Sequence, residues 1–160
     1  MTLATASLVD VLVGATTDVF ATMIFRQLQA QETVWGHHHR PKSQIVGIVG
    51  FAGSSTGLVA FHASLAAARE ITGAMLGIEI DEEGLPDAVG EVTNMIAGAF
   101  RTRMAAFQKP WAISVPTVTV GTDFYIKPIS TGDRVIVGFT MDAHELFVEL
   151  LITPSADAAV

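Results

Sequence analysis

A chain of 160 residues fits one compact domain, and half of it is apolar, enough for a substantial core. A formal charge of −7, with nine Lys and Arg, excludes the broad basic surface that nucleic acid or an anionic membrane requires. The absence of cysteine excludes disulfides, thiolate catalysis and Cys-ligated zinc, and it agrees with a reducing, cytoplasmic setting.

The apolar stretch Ser7 to Phe25 is interrupted by Asp10 and Asp18 and has no basic residue before it. It reads as part of a buried amphipathic helix near 6 to 30 rather than a signal peptide or membrane span, so a soluble protein is expected. A polar linker, Glu32 to Ser43, holds Gly36, three histidines and Pro41. Gln44 to Phe51 and Leu58 to His62, joined by Gly53-Ser54-Ser55-Thr56-Gly57, read as a hairpin. Ser64 to Leu76 is Ala-rich and helical. The acidic connector Glu79 to Gly84 leads to Pro86, near the first turn of a long helix that ends before Pro110. Ala112 to Val120, Arg134 to Thr140 and Glu145 to Thr153 read as strands, and residues 155–160 as a disordered tail.

The order α, ββ, α, α, βββ contains an internal repeat. Val13 to Ala21 can be laid on Val89 to Ala97 at an offset of 76 residues, and Ser55-Thr56-Gly57 on Ser130-Thr131-Gly132 at an offset of 75. Two nearly equal offsets indicate duplicated α-β-β units, about 7–62 and 83–140, within a single domain spanning 1–160. The expected class is α+β, an antiparallel sheet covered by long helices.

In the long second-half helix, Val89, Val92, Ile96, Phe100 and Phe107 fall on one stripe, which should face the core. Asp87, Glu91, Asn94, Gly98 and Thr102 lie opposite, with Met95 beside them. Such a ridge commonly does no more than solvate a helix. Gly98 favours more than that, because a mid-helix glycine costs roughly 1 kcal/mol relative to Ala and invites close approach by another backbone. Under the repeat, Ala15 and Asp18 stand where Glu91 and Asn94 do, so one site is expected.

Asp87-x3-Glu91-x2-Asn94, followed after 21 residues by Pro116, resembles the signature of the CheC/CheX/FliY chemotaxis phosphatases. In that family the motif begins with Asp or Ser, and the proline usually follows the Asn after 22 residues, so this chain departs by one position. The duplicated αββ order and the single intact pair are most similar to the CheX branch.

The resemblance implies hydrolysis of the aspartyl phosphate on a phosphorylated CheY-like receiver domain, with the helix of Glu91 and Asn94 laid across the receiver's active site. The receiver would bring its acceptor carboxylate, a bound Mg²⁺ and a lysine. Asn94 would orient the attacking water, and Glu91 would pair with the lysine. Asp87, Met95 and Gly98 would contribute at most to docking, and Pro116 would shape the following strand. No cofactor is expected on this chain itself. CheX relatives also imply a homodimer, for which edge-strand pairing is a ready route.

His37-His38-His39 raises the question of a metal site. Adjacent side chains diverge in extended chain, and only His62 and His144 remain to help, so a solvated linker turn is expected instead. Trp35 is a candidate for a subunit contact or for burial. Two other readings stand beside hydrolysis: a receiver-binding adaptor without catalysis, and a structural dimerisation module whose polar ridge is incidental.

Overall fold

A computed structural model describes residues 5–79 and 81–154. The first helix, α1 (Thr5–Val19), passes into a π-helical turn, Phe20–Ile24. Phe25 then adopts φ 60°, and its N–H donates to the Phe20 carbonyl, which ends the helix. The predicted helix to residue 30 is therefore too long. Strand β1 (Gln29–Trp35) follows, where the sequence reading had the end of that helix and the start of a linker. Next come β2 (Ser43–Ala52), β3 (Ser55–Ala63) and α2 (Leu65–Leu76). The Ser64 hydroxyl accepts from the Ala67 N–H, and Gly77 closes α2 at φ 67°. A single 3₁₀ turn, Glu82–Gly84, leads into α3 (Leu85–Met104). The third predicted strand is divided into β4 (Ala112–Ile113) and β5 (Thr117–Phe124), with Pro116, which has no N–H for a ladder, between them. β6 (Asp133–Met141) and β7 (His144–Pro154) complete the described chain, and the predicted tail lies outside it.

The strands form one antiparallel sheet in the order β1-β6-β7-β3-β2, with β4 and β5 both pairing β2. Read through β5, the order is a palindrome: β1, β2 and β3 hold the positions that β5, β6 and β7 hold on the other side. We infer a duplication from this symmetry, with α1 and α3 as the paired helices. The hairpin β2–β3 answers to β6–β7, so the Ser55-Gly57 and Ser130-Gly132 match, which joins the start of β3 to that of β6, is not the correspondence the sheet makes.

Helices cover one face. Leu12, Ala15, Val19 and Phe20 of the first helical segment, with Val89, Val92, Ile96 and Phe100 of α3, pack against Ile45, Val49, Phe61, Val137 and Val148 of the strands. Strand alternation turns Val46, Ala60, His62, Arg134, Ile136 and Glu149 to the other face, and these are buried as well. Ser7–Ile24 is long and apolar enough to cross a membrane by length and composition. In this fold its inner side belongs to the core, and Asp18 pairs with Arg103 of α3.

Candidate functional site

The helix α3 is locked by its inner side. Leu85, Ala88, Val89, Val92, Thr93, Ile96, Ala97, Phe100 and Met104 are all buried. Phe107, predicted on the same stripe, lies beyond the helix end and is half-buried in the turn that follows. Two glycines let the helix lie close to the sheet. A Cβ at Gly47 of β2 would come within 2.0 Å of the Thr93 hydroxyl and 3.3 Å of the Val89 carbonyl, and one at Gly90 would lie 3.3 Å from Val118 and 3.6 Å from Pro116. Pro116 thus packs beside α3 next to the predicted site, as a strut.

The outer side is the predicted ridge. Asp87 and Glu91 are exposed, and Asn94, Met95 and Gly98 are half-buried, all on α3. Among the described residues, the side chains of Asp87, Glu91 and Asn94 have no hydrogen bond or ion pair. An acid and an amide one turn apart on a rigid helix, with no partner in their own chain, are free for another molecule. A Cβ at Gly98 would meet nothing within 4 Å. No backbone among the described residues therefore accounts for this glycine, and that side of α3 stands clear. Asp87 near the start of α3, with Arg101 and Arg103 in its last turn, suits the helix dipole.

Burial corrects the alignment of the two helices by one residue. Ala15 is buried whereas Glu91 is exposed, so an offset of 76 sets unlike faces together. Moving by one residue brings Leu12, Thr16 and Val19 onto Val89, Thr93 and Ile96, all buried, and Thr16 and Thr93 each donate to the carbonyl four residues earlier. Gly14 and Thr17 then stand where Glu91 and Asn94 do. A Cβ at Gly14 would lie 3.4 Å from the Arg103 guanidinium, so α3 itself reaches over the first-half position. The α1 ridge therefore carries no acid–amide pair, and Arg103 of α3 lies against it at Gly14.

The three linker histidines part company. His37 Nε2 donates to the Gly132 carbonyl at 3.0 Å, and His39 lies against the Phe147 ring with centroids 5.9 Å apart. The sequence reading missed a buried polar chain on the sheet face turned away from the helices. Ser43 Oγ lies 3.0 Å from His62 Nδ1, His62 Nε2 lies 3.0 Å from Glu149 Oε2, and Arg134 Nε donates to Glu149 Oε1 at 2.8 Å. Arg134 Nη1 continues to the carbonyls of Gly36 and His39, fastening the linker to the sheet. Burial opposes ionisation of Glu149, but the hydrogen bonds from His62 and Arg134 outweigh it and hold the carboxyl below its ordinary value. Ser43 and His62 are each 2% exposed, so these side chains are packed into the sheet rather than presented at the surface as Glu91 is. The available signal was three polar residues, His62, Arg134 and Glu149, set in otherwise apolar strands.

Comparison with known proteins bears on the family and the fold. The family described as Chemotaxis phosphatase CheX matches residues 45–140. The CheY-P phosphatase CheX of Thermotoga maritima is 26% identical over 126 residues, which cover 76% of this chain and 81% of the relative. The crystal structure of a putative chemotaxis protein from Desulfovibrio vulgaris Hildenborough superposes with a TM-score of 0.86 at 25% identity, covering 95% of this chain and 100% of that one. A chain of the CheX–CheY–BeF3–Mg²⁺ complex from Borrelia burgdorferi shares the fold, with a TM-score of 0.74 at 23% identity over 91% of this chain and 97% of that one. Matched over more than half its length, including most of β2, all of β3 and α3, and most of β6, the chain belongs to the chemotaxis phosphatase CheX family.

Proposed function

We propose that this chain removes the phosphoryl group from the aspartyl phosphate of a CheY-like receiver domain, with the outer ridge of α3 seated over the receiver's phosphorylation site. The observation that carries the reading is the unpartnered pair Glu91 and Asn94, held outward on a helix whose other side is fixed in the core. The Thermotoga relative, named for action on CheY-P, supports the substrate class.

Asn94 is suited to placing water rather than activating it. Its amide accepts from the water and donates to a phosphoryl oxygen, and as a neutral group it does not repel the anion. Holding the water in line with phosphorus supplies the positional part of the barrier. Glu91, an anion, is unsuited to touching phosphate and suited to pairing with a receiver cation, which fixes the docked register. Asp87, Met95 and the clear surface at Gly98 extend the contact along the same ridge. In this reading Mg²⁺ enters with the partner and screens the phosphoryl charge there, which the Mg²⁺-containing CheX–CheY–BeF3 complex from Borrelia burgdorferi supports.

Phosphorylated receivers incubated with and without the chain test the proposal. Receiver dephosphorylation should accelerate, Asn94→Ala should slow that acceleration by about 10²-fold while leaving binding nearly intact, and Glu91→Ala should raise KM as well. Unchanged turnover in the Asn94 variant overturns the water-positioning role. Binding without any acceleration makes the chain a receiver-binding adaptor.

We also propose that two copies pair as a homodimer through the open edge of β5, which among the described residues has a strand neighbour, β2, on one side only.

A further inference from the structure

On the sheet face turned away from α3, three of the chain's nine Lys and Arg converge. Arg40, Lys127 and Arg134, together with His37, Ile126 and Pro128, line a cavity of about 20 Å³. Arg134 is 2% exposed and fixed: Nε donates to Glu149, and Nη1 donates to the carbonyls of Gly36 and His39 at 3.3 and 2.6 Å. Its Nη2 is buried with no hydrogen-bond partner among the described residues. A charged donor left unpaired inside a protein is exceptional, because folded chains satisfy nearly all of them.

The surrounding groups are held in place but not neutralised. Arg40 lies over the Tyr125 ring, 5.1 Å from its centroid, and His37 is tethered to the Gly132 carbonyl. Among the described residues neither Arg40 nor Lys127 has a carboxylate partner. A volume of about 20 Å³ admits about one water-sized sphere, which is the size of a single oxygen. His37, Lys127 and Pro128 also border an open groove of about 590 Å³, which Ser130 and Thr131 continue.

We propose that this is an oxyanion site whose ligand is a phosphate group, with one oxygen in the cavity beside Arg134 and the remaining oxygens in the groove along Lys127 and Ser130-Thr131. A tetrahedral anion offers oxygens in several directions and suits donors that arrive from two chain segments, whereas a planar carboxylate offers two oxygens in one plane. In a chain of net charge −7, Arg40 and Lys127 are the cations left to balance a dianion, and Arg134, whose charge Glu149 already balances, adds a directed donor. The site lies across the sheet from Glu91 and Asn94 and does not depend on the receiver reading.

Titration of the full chain at constant ionic strength, followed by backbone amide shifts, tests the proposal with inorganic phosphate, glycerol 3-phosphate and acetate as probes. Either phosphate probe should give saturable shifts at residues 37–40 and 127–134 that acetate does not, and the tighter of the two identifies the ligand as free or esterified phosphate. Lys127→Ala and Arg40→Ala, both at exposed side chains, should each weaken binding about tenfold, Lys127→Ala without moving the phosphate-free melting temperature and Arg40→Ala with only the small shift that loss of its Tyr125 contact brings. Shifts that fail to saturate, shifts equalled by acetate, shifts centred on α3, or affinity unchanged in both variants would each overturn it. So would a crystal structure from phosphate solution that holds only a water beside Arg134.

Discussion

Glu149 shows how one buried charge is kept in an apolar sheet. His62 and Arg134 each take one carboxylate oxygen, and Arg134 spends its other paired donors on the linker carbonyls. Because the folded carboxyl titrates below its ordinary value, the unfolded chain binds the proton more readily. The stability it contributes is therefore fully present above the ordinary glutamate value of about 4.3 and is lost as pH falls through the lower folded value. Melting temperature followed from neutral pH down to about 3 should drop steeply in the wild type, and Glu149→Gln should flatten that acid limb while lowering stability at neutral pH. Glu91 and Asn94 are the opposite case. Outward-facing and unpartnered, they should change stability by no more than about 0.5 kcal/mol when replaced by Ala, so lost turnover in those variants reports chemistry and not unfolding.

At the scale of elements, the close seating of α3 on β2 sets the height of the ridge. Gly47 has no room for a side chain, since its added Cβ would run into the Thr93 hydroxyl and approach the Val89 carbonyl. Gly47→Ala should cost about 1–3 kcal/mol in chemical denaturation, by pushing α3 off the sheet. Thr93→Ala in the same chain should return part of that loss, because the two substitutions share one contact. The helix itself was legible, since Val89, Val92, Ile96 and Phe100 carry a helical period that also fixed which way Glu91 faces. The hairpins β2–β3 and β6–β7 were legible from runs of Val, Ile and Phe between turns. β1 was not: as an edge strand it is mostly exposed, so Gln29 to Glu32 shows none of the alternation that marks a half-buried strand. The one-residue slip between the helices has a similar cause, because Gly, Ala and Thr at 14–17 look alike in sequence and only burial separates them. The Glu149 chain joins residues 87 positions apart, and no local pattern reports that.

For the whole molecule, the palindromic sheet leaves two edges, and they are not equivalent. β1 carries Glu32 and a register shift between Ala30 and Thr33, two devices that discourage another strand from adding to it. β5 also shifts register, between Val120 and Phe124, and carries Asp123, but its first half, Thr117 to Val120, pairs regularly with β2, is uncharged, and leaves Val120 52% exposed. Antiparallel addition of a second copy there would continue the sheet across a two-fold axis and cover that valine in both chains. Sedimentation at micromolar concentration should then find a dimer. Val120→Lys, which sets like charges on facing edges, should give monomers whose melting temperature shows no loss beyond that of dissociation. The ridge on α3 is complete within one chain, so the monomeric variant should keep its receiver phosphatase rate per chain. A monomeric wild type, or a dimer indifferent to Val120→Lys, assigns the contact elsewhere or abolishes it.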